Sequence, residues 1–585
     1  MESEARTVAE LVARRWGDHR PGLWCGESVL THHEAAAGAA ARAALLADLL
    51  PRDAVPHVGV LLDNTLEYPL WLSAAALARA AVAGINPTRR GAELARDILH
   101  TECRILVTER THLPLLDGLD LPGVHLLVTG TREYDDLLAP YAGARPDASR
   151  ATPADRLLLY FTSGSTGAPK AALCSQGRLA AAGGSLAGQF SVGPDDVHYV
   201  CMPMFHGNAV IADWAPALHA GAGVALRRRF SASRFLADVR EHGATYFTYV
   251  GRAVQYVLAT EPRPDDRDNP LRLGFGTEAG AVDAAAFERR FGVRLVEGYG
   301  SSEGGAAIQW RPGTPPGAVG PAVPGLVVLD PETGNECPPA VFDPAGRLRN
   351  GDAAIGELVN RGPSPFEGYW RNPAAEAERR HDGGYWTGDL FYRDTDGYLY
   401  FAGRTDDRLR VDSENLAAAM IENILARYEG ALAVAVYAVP DPVTGDQVMA
   451  ALAGTFDPAS FAAFLDAQPD LGTKMAPRFI RVLDRMPVTA TNKIHRARLR
   501  KEGVTCTDPV WWCPPGEKEY RELTEADRVR LISEYGVRGV RVAEPPQRAA
   551  KSRRHDDGEV VRAFREHASP STSCAARDSN PGPAD

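Results

Sequence analysis

Cysteine is scarce and scattered in this chain, eight residues among 585 with no C-x-x-C pair. That excludes a zinc-ribbon or disulfide framework and suits a reducing compartment, the cytoplasm. Apolar runs of membrane-spanning length are missing too. The most apolar stretch, residues 70–85, contains Arg79. It falls short of the ~20 residues a spanning helix needs, so a buried helix is expected there. The start, Met1-Glu2-Ser3-Glu4-Ala5-Arg6, is polar and carries no signal-peptide core. Positive charge is not in excess: the formal net charge is -11, which argues against a nucleic-acid partner. No internal repeat is apparent. What remains is 45% hydrophobic and 24% charged, the composition of a soluble globular protein, in a chain long enough for two or more domains.

The most informative stretch is Tyr160-Phe161-Thr162-Ser163-Gly164-Ser165-Thr166-Gly167-Ala168-Pro169-Lys170. Residues 157–161 read as a buried strand, and a loop of small, hydroxylated residues follows. Gly164 and Gly167 free backbone N–H groups to wrap a phosphate. Thr162, Ser163, Ser165 and Thr166 add hydroxyl donors, and Lys170 adds a point charge. The spacing is not that of the Walker loop, which places glycine directly before the lysine and Ser or Thr after it. Flexible linkers share this composition but rarely abut so apolar a strand.

Before this loop, apolar runs alternate with helical patterns: strand 57–62, helix 68–83, strand 103–107. Such alternation implies parallel βαβ units with helices on both sheet faces. The rhythm continues through 223–226 and 245–248. Between 313 and 400 the texture changes to glycine, proline and short β-like runs such as 356–359, which predicts a small β-rich subdomain. Residues 404–503 read as a separate module, with a helix over 417–425, a strand over 431–439 and part of a second helix over 461–465. Residues 544–585 lack apolar periodicity, and disorder is expected there.

Four further strings follow the loop in order: Gly298-Tyr299-Gly300-Ser301-Ser302-Glu303, Tyr385-Trp386-Thr387-Gly388-Asp389-Leu390, Gly403-Arg404-Thr405-Asp406-Asp407 and Pro487-Val488-Thr489-Ala490-Thr491-Asn492-Lys493. With the loop they resemble the adenylate-forming superfamily, which includes acyl-CoA synthetases, aryl-CoA ligases, luciferases and peptide-synthetase adenylation domains. The resemblance implies an α/β fold. Its large N-terminal domain (1–403) would hold doubly wound βαβ subdomains and a small β-rich subdomain. A small, mobile α+β C-terminal lid (404–535) and a tail (536–585) would follow. It also implies ATP, Mg2+ and CoA. An acid is first joined to AMP with loss of pyrophosphate, and the thiol of CoA then displaces AMP.

The same resemblance assigns roles. Thr162, Ser163, Gly164, Ser165, Thr166, Gly167 and Lys170 would grip the phosphates, with Thr166 also catalytic. Gly276, Thr277, Tyr299 and Gly300 would hold the adenylate, Tyr299 by stacking on adenine. Ser302 would contact the α-phosphate and Glu303 would bind Mg2+, to which a hard carboxylate oxygen is suited. Asp389 would accept both ribose hydroxyls, with Arg404 beside it. Lys493 would bridge the acyl carboxylate and the α-phosphate, and Asp406 would be the hinge of the lid. Asn492 stands where relatives commonly have glycine, a mild change because Asn tolerates left-handed backbone. His206 would sit at the mouth of the acyl pocket and gate or orient the carboxylate. Adenylation domains usually have aspartate there, so an α-amino acid substrate is disfavoured.

Within the superfamily, residues 249–252, 262–273, 400–407 and 413–415 resemble the fatty acid transport protein and very-long-chain acyl-CoA synthetase branch, as do Asp508-Pro509 and residues 520–524. A long- or very-long-chain fatty acid is therefore the expected substrate. An acyl carrier protein is the alternative acceptor, and a catalytically weak fatty-acid-binding or uptake protein the third reading. The resemblance leaves room for peripheral membrane contact only. Ser413 stands where relatives place glycine before Glu-Asn, close to pantetheine, and Asp412 beside it adds negative charge.

Overall fold

The computed structural model describes residues 5–51, 53–162, 170–344, 348–363, 365–411, 414–441, 445–472, 474–489 and 493–537. The loop residues 163–169, Asp412, Ser413, Asn492 and the tail 538–585 lie outside the described residues. Among those described, no helix is long and apolar enough to cross a membrane.

Two mostly parallel sheets form the N-terminal body. The six-stranded sheet runs in the order His125–Thr129, Ile105–Glu109, His57–Leu61, Ala81–Gly84, Arg156–Thr162 and Lys170–Ser175. Only its last pair is antiparallel. Successive side chains of a strand point to opposite faces, and here both faces are dry. Val58, Val60, Val82, Ile105, Val107 and Leu158 enter one core, while Leu61, Ala81, Ala83, Leu106 and Leu159 enter another. Continuous apolar runs in the sequence follow from burial on both faces.

The seven-stranded sheet runs Arg294–Glu297, Leu273–Thr277, Tyr246–Val250, Val197–Val200, Gly223–Leu226, Pro21–Cys25 and Ser28–Thr31. Its Tyr199, Val224, Leu226 and Phe247 share the first core with the six-stranded sheet. Helix His32–Leu49 packs into that core through Ala36, Ala39, Leu45 and Leu46. Its start is fixed by a capping box, in which Thr31 and Glu34 satisfy each other's backbone N–H groups.

The helix expected over 68–83 is corrected by the structure. Helix Glu67–Ala78 stops where Arg79 turns left-handed (φ 57°), and Ala81–Gly84 is a strand paired on both sides. Residues 68–76 of the helix and the whole strand are buried, so neither displays there a polar face whose period would tell helix from strand, and alanine is compatible with both.

An antiparallel sheet of Gly320–Pro321, Tyr398–Arg404, Gly384–Arg393, Gly356–Asn360 and Leu326–Leu329 forms the β-rich part. The C-terminal sheet centres on Gly445–Gly454, flanked by Ala431–Asp441, Arg408–Val411 and Phe479–Leu483. Its two faces again feed separate cores, Ala435, Tyr437 and Ala451 on one side, Val436, Ala450 and Leu452 on the other. The second core takes Ile421 and Leu425 from helix Ala418–Leu425 and Phe461 from helix Pro458–Asp466.

Candidate active site

The carboxyl ends of Ala81–Gly84, Arg156–Thr162, Tyr246–Val250, Leu273–Thr277 and Arg294–Glu297 converge on a cavity of about 2010 Å³. Open α/β sheets commonly bind ligands at that end of their strands. Thr162, His206, Gly276, Thr277, Tyr299, Gly300, Ser302, Glu303, Asp389, Arg404 and Lys493 all line it. Thr162 and Lys170, the residues on either side of 163–169, face each other across an antiparallel pair. Ser163, Gly164, Ser165, Thr166 and Gly167 lie outside the described residues.

One wall is polar. The Tyr299 hydroxyl donates to Asp389 Oδ2 at 2.7 Å, and Arg404 Nε lies 3.6 Å from Asp389 Oδ1. Asp389 and Arg404 sit opposite each other on neighbouring strands. Burial pushes the Asp389 carboxyl up, against the pull of Arg404 and of the Tyr299 hydroxyl. Glu303 Oε1 accepts from the Tyr369 hydroxyl at 3.2 Å. The guanidinium of Arg178 donates to the carbonyls of Ser302 (2.6 Å) and Leu173 (2.8 Å), tying the 298–303 loop to strand Lys170–Ser175. A Cβ at Gly207 would meet Ser302 Oγ at 2.7 Å, so glycine there lets the His206 loop close on the polar wall. Lys170 is buried and bonded to Glu378 Oε2 at 2.8 Å.

His206 precedes the short turn Gly207–Ala209, and its Nδ1 accepts from Asn208 N–H at 3.4 Å. Its loop approaches Gly84 so closely that a Cβ there would lie 2.6 Å from the Phe205 carbonyl oxygen. Burial, with Lys493 and Arg404 adding to it, pushes the imidazole down to about 4, so the ring is neutral at neutral pH. Small and apolar groups also line the cavity: Ala181, Ala182, Met202, Ile211, Ala212, Phe275 and Ala306.

Lys493 stands at the neck of a turn. Thr489 N–H donates to the Lys493 carbonyl at 2.7 Å, and Lys493 N–H donates to Thr489 Oγ1 at 3.2 Å. Its Nζ lies 2.8 Å from Glu278 Oε1. Asp406 falls in the single turn Thr405–Asp407 between strands Tyr398–Arg404 and Arg408–Val411. Neighbouring Asp407 bonds Arg500 of helix Arg496–Glu502 at 2.8 Å.

Sequence reasoning missed Glu278, Glu297 and Tyr249. Glu297, Gly276 and Tyr249 stand abreast on three neighbouring strands. A Cβ on Gly276 would lie 2.3 Å from the Tyr249 carbonyl oxygen. Glu297 accepts from the Tyr249 hydroxyl (2.8 Å) and from the backbone N–H groups of Glu278 (2.9 Å) and Ala279 (3.0 Å). Burial still pushes its carboxyl up to about 7. The only sequence signal was Glu278 itself, a charged residue just after the strand that ends in Gly276-Thr277. Away from the cavity, Asp63, Glu109 and His112 form the one metal-like cluster among the described residues. Arg228 bonds both carboxylates and Arg229 bonds Asp63. Those cations already balance its charge and tie the two sheets together.

A family model described as AMP-binding enzyme matches residues 10–370. The chain belongs to the AMP-binding enzyme family. It is 49% identical over 550 residues to a steroid-22-oyl-CoA synthetase of Rhodococcus jostii (strain RHA1), covering 92% of this chain and 99% of that protein. It is 46% identical over 511 residues to the medium/long-chain-fatty-acid–CoA ligase FadD17 of Mycobacterium tuberculosis (strain ATCC 25618 / H37Rv), covering 86% and 98%. The crystal structure of the anthranilate CoA ligase AuaEII in complex with anthranoyl-AMP shares the fold, with a TM-score of 0.74 at 22% identity over 84% of this chain and 96% of that one. As a member of the family, the chain is an adenylate-forming ligase that uses ATP.

Proposed function

We propose that this enzyme activates a carboxylic acid with a large hydrophobic body to its acyl-AMP and passes the acyl group to CoA. The observation that carries the reading is the single cavity in which Tyr299, Asp389, Arg404, Ser302, Glu303, His206 and Lys493 meet an apolar wall. In the first step a carboxylate oxygen attacks the α-phosphorus of ATP and pyrophosphate leaves. In the second the CoA sulfur attacks the acyl carbonyl carbon and AMP leaves.

Charge develops on the α-phosphate while two anions are brought together, so catalysis depends on preplaced donors and cations. Lys493 reaches the reacting oxygens from the C-terminal part of the chain. Lys170 and the hydroxyls of the 162–166 segment hold the β- and γ-phosphates, and Asp389 holds the ribose. Glu303 offers a hard carboxylate oxygen to Mg2+, which, once bound, neutralises triphosphate charge. With Nδ1 of neutral His206 accepting from backbone, the proton resides on Nε2, which can donate to the acyl carboxylate. Asp406 is the hinge about which residues 404–535 turn between the steps.

The acid is a medium- or long-chain fatty acid or, as a second reading, a fused-ring acid of the steroid-22-oyl kind. Ala181, Ala182, Ala212 and Ala306, small residues among those that line the cavity, leave room for the latter, which is wider than a methylene chain. Pyrophosphate release in the presence of ATP and Mg2+, measured across fatty acids of graded length and steroid C22 carboxylates, tests this. Release with either class, followed by AMP release only when free CoA is added, supports it. Acylation of a carrier protein without free CoA, or tight acid binding without pyrophosphate release, contradicts it.

A further inference from the structure

Lys493 is one of six lysines in the whole chain, and it meets a carboxylate 215 residues away in sequence, Glu278, at 2.8 Å. Both residues line the cavity. Glu278 occupies backbone that L side chains rarely adopt, φ 69°. The surrounding structure holds it there: Glu297 takes the N–H groups of Glu278 and Ala279, and Tyr249 fixes Glu297 from behind. On the other side, a Cβ on Gly251 would lie 1.7 Å from the Glu278 carbonyl oxygen, so only glycine lets this turn pass. A strained residue that its neighbours over-determine, aimed into a cavity, motivates a functional hypothesis. Lys170, the other lysine of the motifs, also bonds a carboxylate, Glu378 at 2.8 Å.

We propose that Glu278 is a positioning residue of the adenylation step: its carboxylate holds the Lys493 ammonium over the cavity before the acid and ATP arrive. The proposal rests on the role given to Lys493 above. An ammonium has three N–H donors. It can keep one on Glu278 while the others reach the acyl carboxylate and the α-phosphate. A long, freely rotating lysine on a surface turn would otherwise have to be ordered as the reaction begins. Once the C-terminal part turns for the CoA step, Lys493 leaves and Glu278 has no partner to hold.

The full-length protein and its Glu278→Gln, Glu278→Asp and Lys493→Ala variants test this. Without substrates, peptide-resolved amine labelling with an acetylating reagent should find Lys493 several-fold more reactive in Glu278→Gln than in wild type, with exposed Lys518 unchanged as the reference. Acyl-AMP formation should fall roughly tenfold in Glu278→Gln, as expected for a misplaced catalytic group. It should fall less in Glu278→Asp, and acyl-CoA formation from preformed acyl-AMP should keep its wild-type rate. In a Lys493→Ala background Glu278→Gln should cost nothing further, because the two residues act as one unit. Unchanged labelling of Lys493, an equal loss in both half-reactions, or a full additional loss in the Lys493→Ala background overturns the proposal. An intact adenylation rate in Lys493→Ala alone overturns the role of Lys493 and the proposal with it. The other contrary outcomes leave that role standing.

Discussion

At the residue scale, the two half-reactions ask different things of the same wall. Lys493→Ala should cut acyl-AMP formation by about 10²–10³-fold, the usual loss when a transition-state charge contact is removed. It should largely spare thioester formation from preformed acyl-AMP, and single-turnover assays of each half-reaction separate the two. Glu303→Gln should raise the magnesium needed for half-maximal pyrophosphate release by about tenfold or more, because an amide oxygen is a weaker ligand for a hard dication. A magnesium titration reads this directly. Glu297 adds a pH signature. Its carboxyl is raised to about 7 by burial, so the folded state holds a proton that the unfolded state has already lost. Wild-type stability should fall as pH rises from about 4.5 to 7 and then level off, by at most on the order of 3 kcal/mol. Glu297→Gln lacks that titration. Its Tm relative to wild type should therefore climb between pH 5 and 8, whatever constant offset the substitution brings.

At the scale of elements, the turn Thr405–Asp407 and the neck of the 489–493 turn matter most. The first links the strand that carries Arg404 to the C-terminal sheet. Through Asp407 it is tied to helix Arg496–Glu502, which follows Lys493 within a few residues. Proline fixes φ near −65° and restricts the residue before it, here Thr405. Asp406→Pro should hold the C-terminal part in one orientation. Under the proposed function that orientation is the adenylating one, with Lys493 beside Glu278. Acyl-AMP should then form at a near-normal rate while transfer to CoA slows strongly, in a variant whose melting profile matches wild type.

Element boundaries also mark where the sequence was legible. Strands such as 57–61 and 223–226 and helix 418–425 could be read because their apolar runs have distinct lengths and punctuation. The split of 67–84 into helix and strand could not, since the break is a left-handed Arg79 rather than a glycine or proline. Glu278 was equally hidden. Its importance comes from a partner 215 positions away and from hydrogen bonds to its backbone, neither of which a local pattern records. The motif residues were legible for the opposite reason. Each motif is a short string of fixed spacing, and folding brings Thr162, Tyr299, Ser302, Glu303, Asp389, Arg404 and Lys493 to one cavity.

At the scale of the whole molecule, the proposed function puts nucleotide and acid together in one cavity of about 2010 Å³, lined by strands of two sheets that share a core. The C-terminal sheet has cores of its own, and Lys493, between its strand Phe479–Leu483 and helix Arg496–Glu502, lines that cavity. Chemistry on this enzyme should therefore proceed in two separable stages. The most direct measurement is a rapid-quench single turnover with enzyme in excess over a labelled acid of the long-chain or steroid-22-oyl class, ATP and Mg2+. In the absence of CoA, enzyme-bound acyl-AMP should accumulate in step with pyrophosphate, and adding CoA should convert it to acyl-CoA with release of AMP. Acyl-CoA appearing with no acyl-AMP before it, or pyrophosphate release that requires CoA from the start, would contradict the account.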